Sequence, residues 1–177
     1  KGLIASYSSP GTNIWVSAPG GENHFDMIDP SIMTVDLAGC SAGAAKATAT
    51  PLNAFEYAHP ENANCNYTST MDGTSSAAPM ISGIVALMLE VNPNLTWRDI
   101  KHILAVTSDK VNPTIGSVSH PNGVLLPSGH VYANQWVENA AGFAFHYRYG
   151  FGRVNGDKAV TMAKDYISAL GSYIETT

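Results

Sequence analysis

Basic side chains are scarce in this chain. Nine Lys and Arg stand against fourteen Asp and Glu in 177 residues, a formal net charge of −5. No run of Lys or Arg is there to neutralise phosphates, which argues against a nucleic-acid partner. Charge of either sign is thin, at 13% against 45% hydrophobic residues, and that balance excludes a disordered chain and favours a buried core. Long hydrophobic runs are also lacking. The uncharged stretch from Gly73 to Leu89 is broken by Pro79 and several serines, short of the roughly 20 apolar residues of a membrane span. A soluble protein with no membrane partner is expected. Methionine is missing from position 1, and no charged-then-apolar leader follows Lys1, so a secretory signal would have to lie upstream. With the apolar run Leu3-Ile4-Ala5 starting almost at once, the chain reads as the tail of a longer polypeptide.

Only two cysteines are present, Cys40 and Cys65, in a stretch rich in Ser, Gly, Asn, Ala and Thr. A disulfide closing that loop contributes about 3–4 kcal/mol in the chain-entropy model. The alternative is two free buried thiols, since cytosolic proteins rarely carry disulfides. Paired cysteines, low charge and Ser/Thr/Asn-rich loops lean towards a secreted protein, extracellular or periplasmic.

Along the chain, Leu3 to Ser8 and Asn13 to Ala18 read as short strands separated by the turn dipeptide Pro10-Gly11. Ser31 to Leu37 alternates apolar with small polar residues, a third strand. Gly39 to Asn66 has no periodicity and is assigned as a long surface loop, of the kind that is usually functional or constrained. Ser75 to Glu90 then reads as a helix that is apolar or small on every face and so buried all round, with Pro79 tolerated in its first turn. Thr96 with Asp99 marks a capped second helix whose inner face is Trp97, Ile100, Ile103, Leu104 and Val106. Val111 to Asn134 is connection, Phe143-Ala144-Phe145 is strand-like, and Asn155 caps a last helix running to Leu170. Strands feeding long helices point to an α/β layered fold.

Chemistry concentrates where polar loop meets apolar helix, at Gly73-Thr74-Ser75-Ser76-Ala77-Ala78-Pro79. A serine there has unpaired backbone N–H groups and a positive dipole end beside it, suited to an oxyanion. On position alone Ser75 reads first as a simple N-cap. The full pattern Gly-Thr-Ser-x-Ala-x-Pro, however, resembles the nucleophile motif of the subtilisin-like serine peptidases. Five fixed residues arise by chance in such a length on the order of once in ten thousand. The α/β-hydrolase elbow fails because Ala77 stands where its second glycine belongs, and neither a His-Glu-x-x-His nor a Ser-x-x-Lys motif occurs. Tyr7-Ser8-Ser9 with Val16-Ser17-Ala18-Pro19-Gly20 is similar to the paired strands that precede the subtilase nucleophile. Leu89 to Ile100 resembles the kexin and furin branch, the proprotein-convertase-like peptidases. Tyr149-Gly150-Phe151-Gly152-Arg153-Val154-Asn155 resembles the segment that closes their catalytic domain.

The resemblance implies the C-terminal half of a subtilisin-like three-layer α/β domain with a mostly parallel sheet. Residues 1–170 would belong to that domain, and 171–177 would begin a linker towards a following domain. It implies Ser75 as nucleophile and its backbone amide as an oxyanion donor, with Gly73, Thr74, Ala77 and Pro79 as motif support. The family order Asp, His, Ser puts the acid, the base and the oxyanion Asn before Lys1. The acidic residues that select basic side chains in this branch also fall largely upstream. The partners implied are a polypeptide substrate and the upstream half of the same domain. No cofactor is required for the chemistry. Structural calcium in the parent is implied, yet no dense Asp/Asn/Gly calcium loop stands out among Asp26, Asp29, Asp36, Glu56, Glu61 and Asp72. No metal ligand is assigned.

Of the six histidines, His102 lies among apolar residues and reads as a packing residue. His24 and His59, in loops before the motif, are the loosely plausible substitutes for a base, and His120, His130 and His146 lack a carboxylate at a suggestive spacing. Asn66-Tyr67-Thr68 and Asn94-Leu95-Thr96 fit the glycosylation sequon. Two rival functions remain, a catalytically incomplete fragment or pseudo-peptidase acting as a binding module, and a non-peptidase acyl hydrolase acting on small esters.

Overall fold

A computed structural model describes residues 3–22, 31–45, 55–56, 59–113 and 135–168. Two compact units emerge: Lys1–Ile4 with Ser8–Ala18 and Met80–Thr177, and Ala5–Tyr7 with Pro19–Pro79. The expectations for His24, Asp26, Asp29, His120, His130 and most of the Val111–Asn134 connection lie outside the described residues.

In the second unit, β1 (Ile32–Val35) pairs antiparallel with β2 (Tyr67–Met71), with a register shift between Ile32 and Thr34. The third strand expected to reach Leu37 stops sooner because Asp36 turns the chain. Its carboxylate accepts the Leu37, Ala44 and Ala45 amides at 2.8, 2.7 and 2.8 Å. Strand β2 shows no apolar alternation in sequence because Thr68 and Ser69, both buried, satisfy their polar groups on one side chain. That side chain is Glu56, only 3% exposed, which accepts both hydroxyls and the Ser69 amide. Asn62, in the 3-10 turn Pro60–Asn62, straps the start of β2 by exchanging side-chain hydrogen bonds with the Tyr67 backbone at 2.8 and 3.1 Å. Beside it Cys40 and Cys65 form a disulfide.

The long helix α1 (Thr74–Val91) begins in this second unit, and the chain passes into the first unit between Pro79 and Met80. Pro79 is its sixth residue, past the first turn in which it was expected, so the Ser75 carbonyl lacks the amide that would pair with it. The expectation of all-round burial also fails. Only Ser76 and Met88 are buried, while Leu87, Leu89 and Val91 are 51%, 36% and 40% exposed. One face alone is covered, where Ile81, Ile84, Val85 and Met88 join the core. By length and composition α1 is apolar enough to cross a membrane, which for a single core-packing helix is weak evidence of a span.

The remaining first-unit elements are α2 (Trp97–Thr107), a two-stranded antiparallel sheet of β3 (Val137–Glu138) and β4 (Ala144–Phe145), and α3 (Gly156–Lys164). Helix α2 packs on α3 over Leu95, Ile103, Leu104, Ala159 and Ala163. Thr96 and Asp99 form a reciprocal capping box, and Asn155 caps α3 through the Lys158 amide. Helix α3 ends at Lys164 rather than continuing to Leu170. Asn92 takes the Ala163 and Tyr166 carbonyls at 2.9 and 3.1 Å, and Ser168 donates to Asp99 at 2.7 Å, so the chain turns back.

Neither early strand forms as expected. Leu3–Ser8 contains a turn at Ser6–Tyr7, and Asn13 lies in a turn with Thr12, so the second segment is irregular with pairing confined to Trp15–Ser17. Phe151 N donates to Trp15 O, Ser17 N to Gly152 O and Val154 N to Ser17 O, each at 2.8 Å. Arg153 pairs antiparallel with Asp109 on its other side. Among the described residues the only parallel pairing is the Ser17–Arg153 bridge, and both sheets are antiparallel.

Burial disfavours the Asp99 carboxylate, but hydrogen bonds from Thr96 and Ser168, with Arg98 nearby, outweigh it and hold its pKa below the usual aspartate value. Asp109 is likewise held low, chiefly by hydrogen bonds from Lys158 and Asn155. Depressed pKa values in the folded state stabilise above the unfolded value, about 3.9, and that stability fades as pH falls through the folded pKa. Urea unfolding should therefore show stability falling below about pH 4, with a smaller fall in Asp99→Asn. Thr96→Ala should lose about 1 kcal/mol near pH 7. Replacing Cys40 and Cys65 by Ser should lower stability by about 3.5 kcal/mol for a separation of 25 residues, read by the same titration.

Candidate active site

Strand β2 delivers the chain to Asp72 and Gly73, and α1 starts at the next residue. Gly73 has φ +104°, in the left-handed region that disfavours a Cβ, and it occupies the cap position of α1. Ser75 is therefore the second residue of the helix and not its N-cap, which removes the simple capping explanation for it. Its side chain is exposed and its hydroxyl has no hydrogen-bond partner among the described residues. Its amide belongs to the first-turn donors that a helix leaves without an internal acceptor, where the dipole is positive. Thr74 is exposed and Ala77 half-buried.

Backbone contacts fix this turn. Gly73 N donates to Gly20 O at 2.8 Å, and Ser76 N to Gly73 O at 3.1 Å. The buried Ser76 hydroxyl lies 2.9 Å from Gly20 O and 2.8 Å from Gly73 O. Tyr7 donates its phenol to Gly21 O at 2.7 Å, and burial raises its pKa, so it stays a donor at neutral pH. Sequence reasoning missed Ser76 and Tyr7, because their partners are carbonyls, which any residue supplies and no motif marks.

Each described histidine has a local role of its own. His59 accepts the Glu61 amide as the cap of the 3-10 turn and packs on Phe55. His102 bonds the Tyr166 hydroxyl at 2.7 Å, and its ring stands edge-on to Phe143. His146 is buried, accepts the Arg148 amide and packs against both Trp136 and Tyr149, which stack on each other. Of the candidate oxygen ligands, Asp36 and Glu56 spend their carboxylates on backbone amides and hydroxyls. Among the described residues no three His, Cys, Asp or Glu side chains group for a metal ion.

Residues 1–152 match the model of the subtilase family, peptidase S8. The chain belongs to that family. It is 35% identical over 169 residues to an extracellular serine protease of Aeromonas sobria, covering 93% of this chain and 26% of that protein. It is 28% identical over 166 residues to kexin of Saccharomyces cerevisiae, covering 94% of this chain and 17% of that protein. The crystal structure of the Aeromonas sobria serine protease superposes with a TM-score of 0.74 at 33% identity, over 94% of this chain and 28% of that one. The α/β character of the subtilisin-like peptidases thus extends to this chain, which spans about a quarter of the length of the first of these relatives.

Gly73→Ala forces a Cβ into a backbone conformation that costs of order 1–3 kcal/mol outside glycine. Urea unfolding should show a loss of that size, since nothing but the Ser75 amide lies within 4 Å to clash. An unchanged midpoint would mean the turn relaxes freely.

Proposed function

We propose that this chain is the C-terminal half of the catalytic domain of a secreted serine endopeptidase of the kexin-like branch, with Ser75 as nucleophile. The observation that carries the reading is the Ser75 hydroxyl, exposed and without a described partner, at the start of α1 inside the family motif. Its oxygen attacks the scissile peptide carbonyl carbon. The hydroxyl proton passes to an imidazole, which an aspartate orients, and both residues precede Lys1 in the family order. The resulting oxyanion takes the Ser75 amide as one donor, alongside an upstream Asn. As the C–N bond breaks, the imidazole returns the proton to the leaving amine. Water then hydrolyses the acyl-enzyme and regenerates the hydroxyl.

The substrate is a polypeptide. The upstream half completes the three-layer domain and its mostly parallel sheet, and it covers the apolar side chains Leu87, Leu89 and Val91 that α1 leaves exposed on either flank. No step draws on a cofactor, and structural calcium, where the parent domain holds it, is assigned no ligand in this chain. Secretion follows the extracellular relative and the disulfide.

The test is fluorophosphonate labelling of the protein isolated from its source, with peptide mapping. A label on Ser75 that vanishes in Ser75→Ala supports the reading. A folded protein that stays unlabelled, or a label that survives the substitution, overturns it. In parallel, residues 1–177 alone should bind a hydrophobic dye, and a dye-silent monomer would count against the half-domain assignment.

A further inference from the structure

The residue after the nucleophile is the most constrained hydroxyl near the site. Ser76 is 6% exposed, and its Oγ lies within hydrogen-bond distance of two carbonyls, those of Gly20 and Gly73. A hydroxyl has a single proton, so the two acceptors share it in a three-centre bond. The accounting at the carbonyls then closes. Gly20 O accepts Gly73 N–H and Ser76 O–H, and Gly73 O accepts Ser76 N–H and Ser76 O–H, which fills both lone pairs of each. All these groups belong to one compact unit.

The approach of the two backbones is close. A Cβ at Gly20 would lie 2.5 Å from the Tyr7 hydroxyl and 3.1 Å from Gly73 O, so a larger residue there would push the phenol aside and press on the Gly73 carbonyl. Tyr7 donates its phenol to the neighbouring Gly21 carbonyl. Among the described residues no side-chain bond ties down Ser75, so its direction is set by the backbone on either side of it, Gly73 before and Ser76 after.

We propose that Ser76 is a positioning residue for the nucleophile: its hydroxyl staples the first turn of α1 to the Pro19-Gly20-Gly21 segment and thereby fixes where the Ser75 oxygen points. This rests on the reading of Ser75 as nucleophile and adds to it a residue that never touches substrate. The substitution Ser76→Ala removes the staple but orphans no donor, and each carbonyl keeps one amide partner, so the fold survives. Ser76→Thr keeps the hydroxyl.

The experiment uses the full-length protein with two readouts, turnover of a peptide substrate and hydrogen exchange at the Gly73 amide. In Ser76→Ala, kcat should fall about tenfold with KM within about twofold, the signature of a misplaced reacting group. Gly73 exchange should rise about tenfold as its partner carbonyl is released. Ser76→Thr should restore both. Unchanged exchange overturns the staple, and raised exchange with unchanged kcat overturns its role in positioning. A wild-type protein that does not label at Ser75 overturns the nucleophile reading, and with it the positioning role. Gly73 exchange reports the staple in that case too, so the two failures are told apart.

Discussion

The turn that presents Ser75 depends on one acceptor, the Gly20 carbonyl. A helix leaves its first amides without internal partners, and a strand that stops leaves its last amides in the same position. At the junction of β2 and α1 these needs fall on a few consecutive residues. Gly20 O answers one of them by taking the Gly73 amide, and the left-handed φ of Gly73 then lets the chain change direction within a single residue. Three features upstream keep β2 in place for that handover. Glu56 holds its centre, Asn62 its beginning, and the disulfide anchors the loop before it.

The first unit is organised by a different economy of backbone bonds. Arg153 lies between Ser17 and Asp109 and pairs with both, so three segments distant in sequence meet at one residue. Its side chain also reaches the Asp109 carboxylate at 3.5 Å, but half-exposed, a pair of this kind stabilises little. Aromatic rings fill the space around that junction, with Phe151 edge-on to Trp15, Phe143 and Phe145. The rings are directional where the aliphatic core of Met88, Ile103 and Leu104 is not. The apolar helices and the paired loops are thus held by different kinds of contact within one unit.

Signals that act within four residues were legible in the sequence. The Thr96–Asp99 box and the Asn155 cap are local hydrogen bonds, so residue type and spacing specify them. The Gly-Thr-Ser motif was legible for the same reason, as a fixed run. Features that depend on distant partners were not. Strand β2 reads as polar loop because its inward groups are Thr68 and Ser69, and only Glu56, twelve and thirteen residues away, makes them buriable. The exposure of Leu87 and Leu89 was misjudged because an apolar sequence records that a face prefers cover, not whether this stretch of chain supplies it. Pro79 falls past the first turn because α1 starts at Thr74, directly after Gly73, whose conformation the sequence only permits.

A serine hydroxyl at neutral pH is a poor nucleophile, and geometry alone does not change that. The described residues supply a fixed helix start, an unpartnered first-turn amide and an exposed oxygen, and in the proposed enzyme these would place the reacting groups and meet developing charge. Removal of the proton is a separate task and needs a base within hydrogen-bond reach. The described imidazoles are engaged elsewhere, with Glu61, Tyr166 and Arg148. Positioning and activation are therefore carried by different parts of the polypeptide in the proposed enzyme. That division explains why the motif, the staple and the cap of α1 form a complete mechanical unit around Ser75 while the hydroxyl itself stands without a described partner.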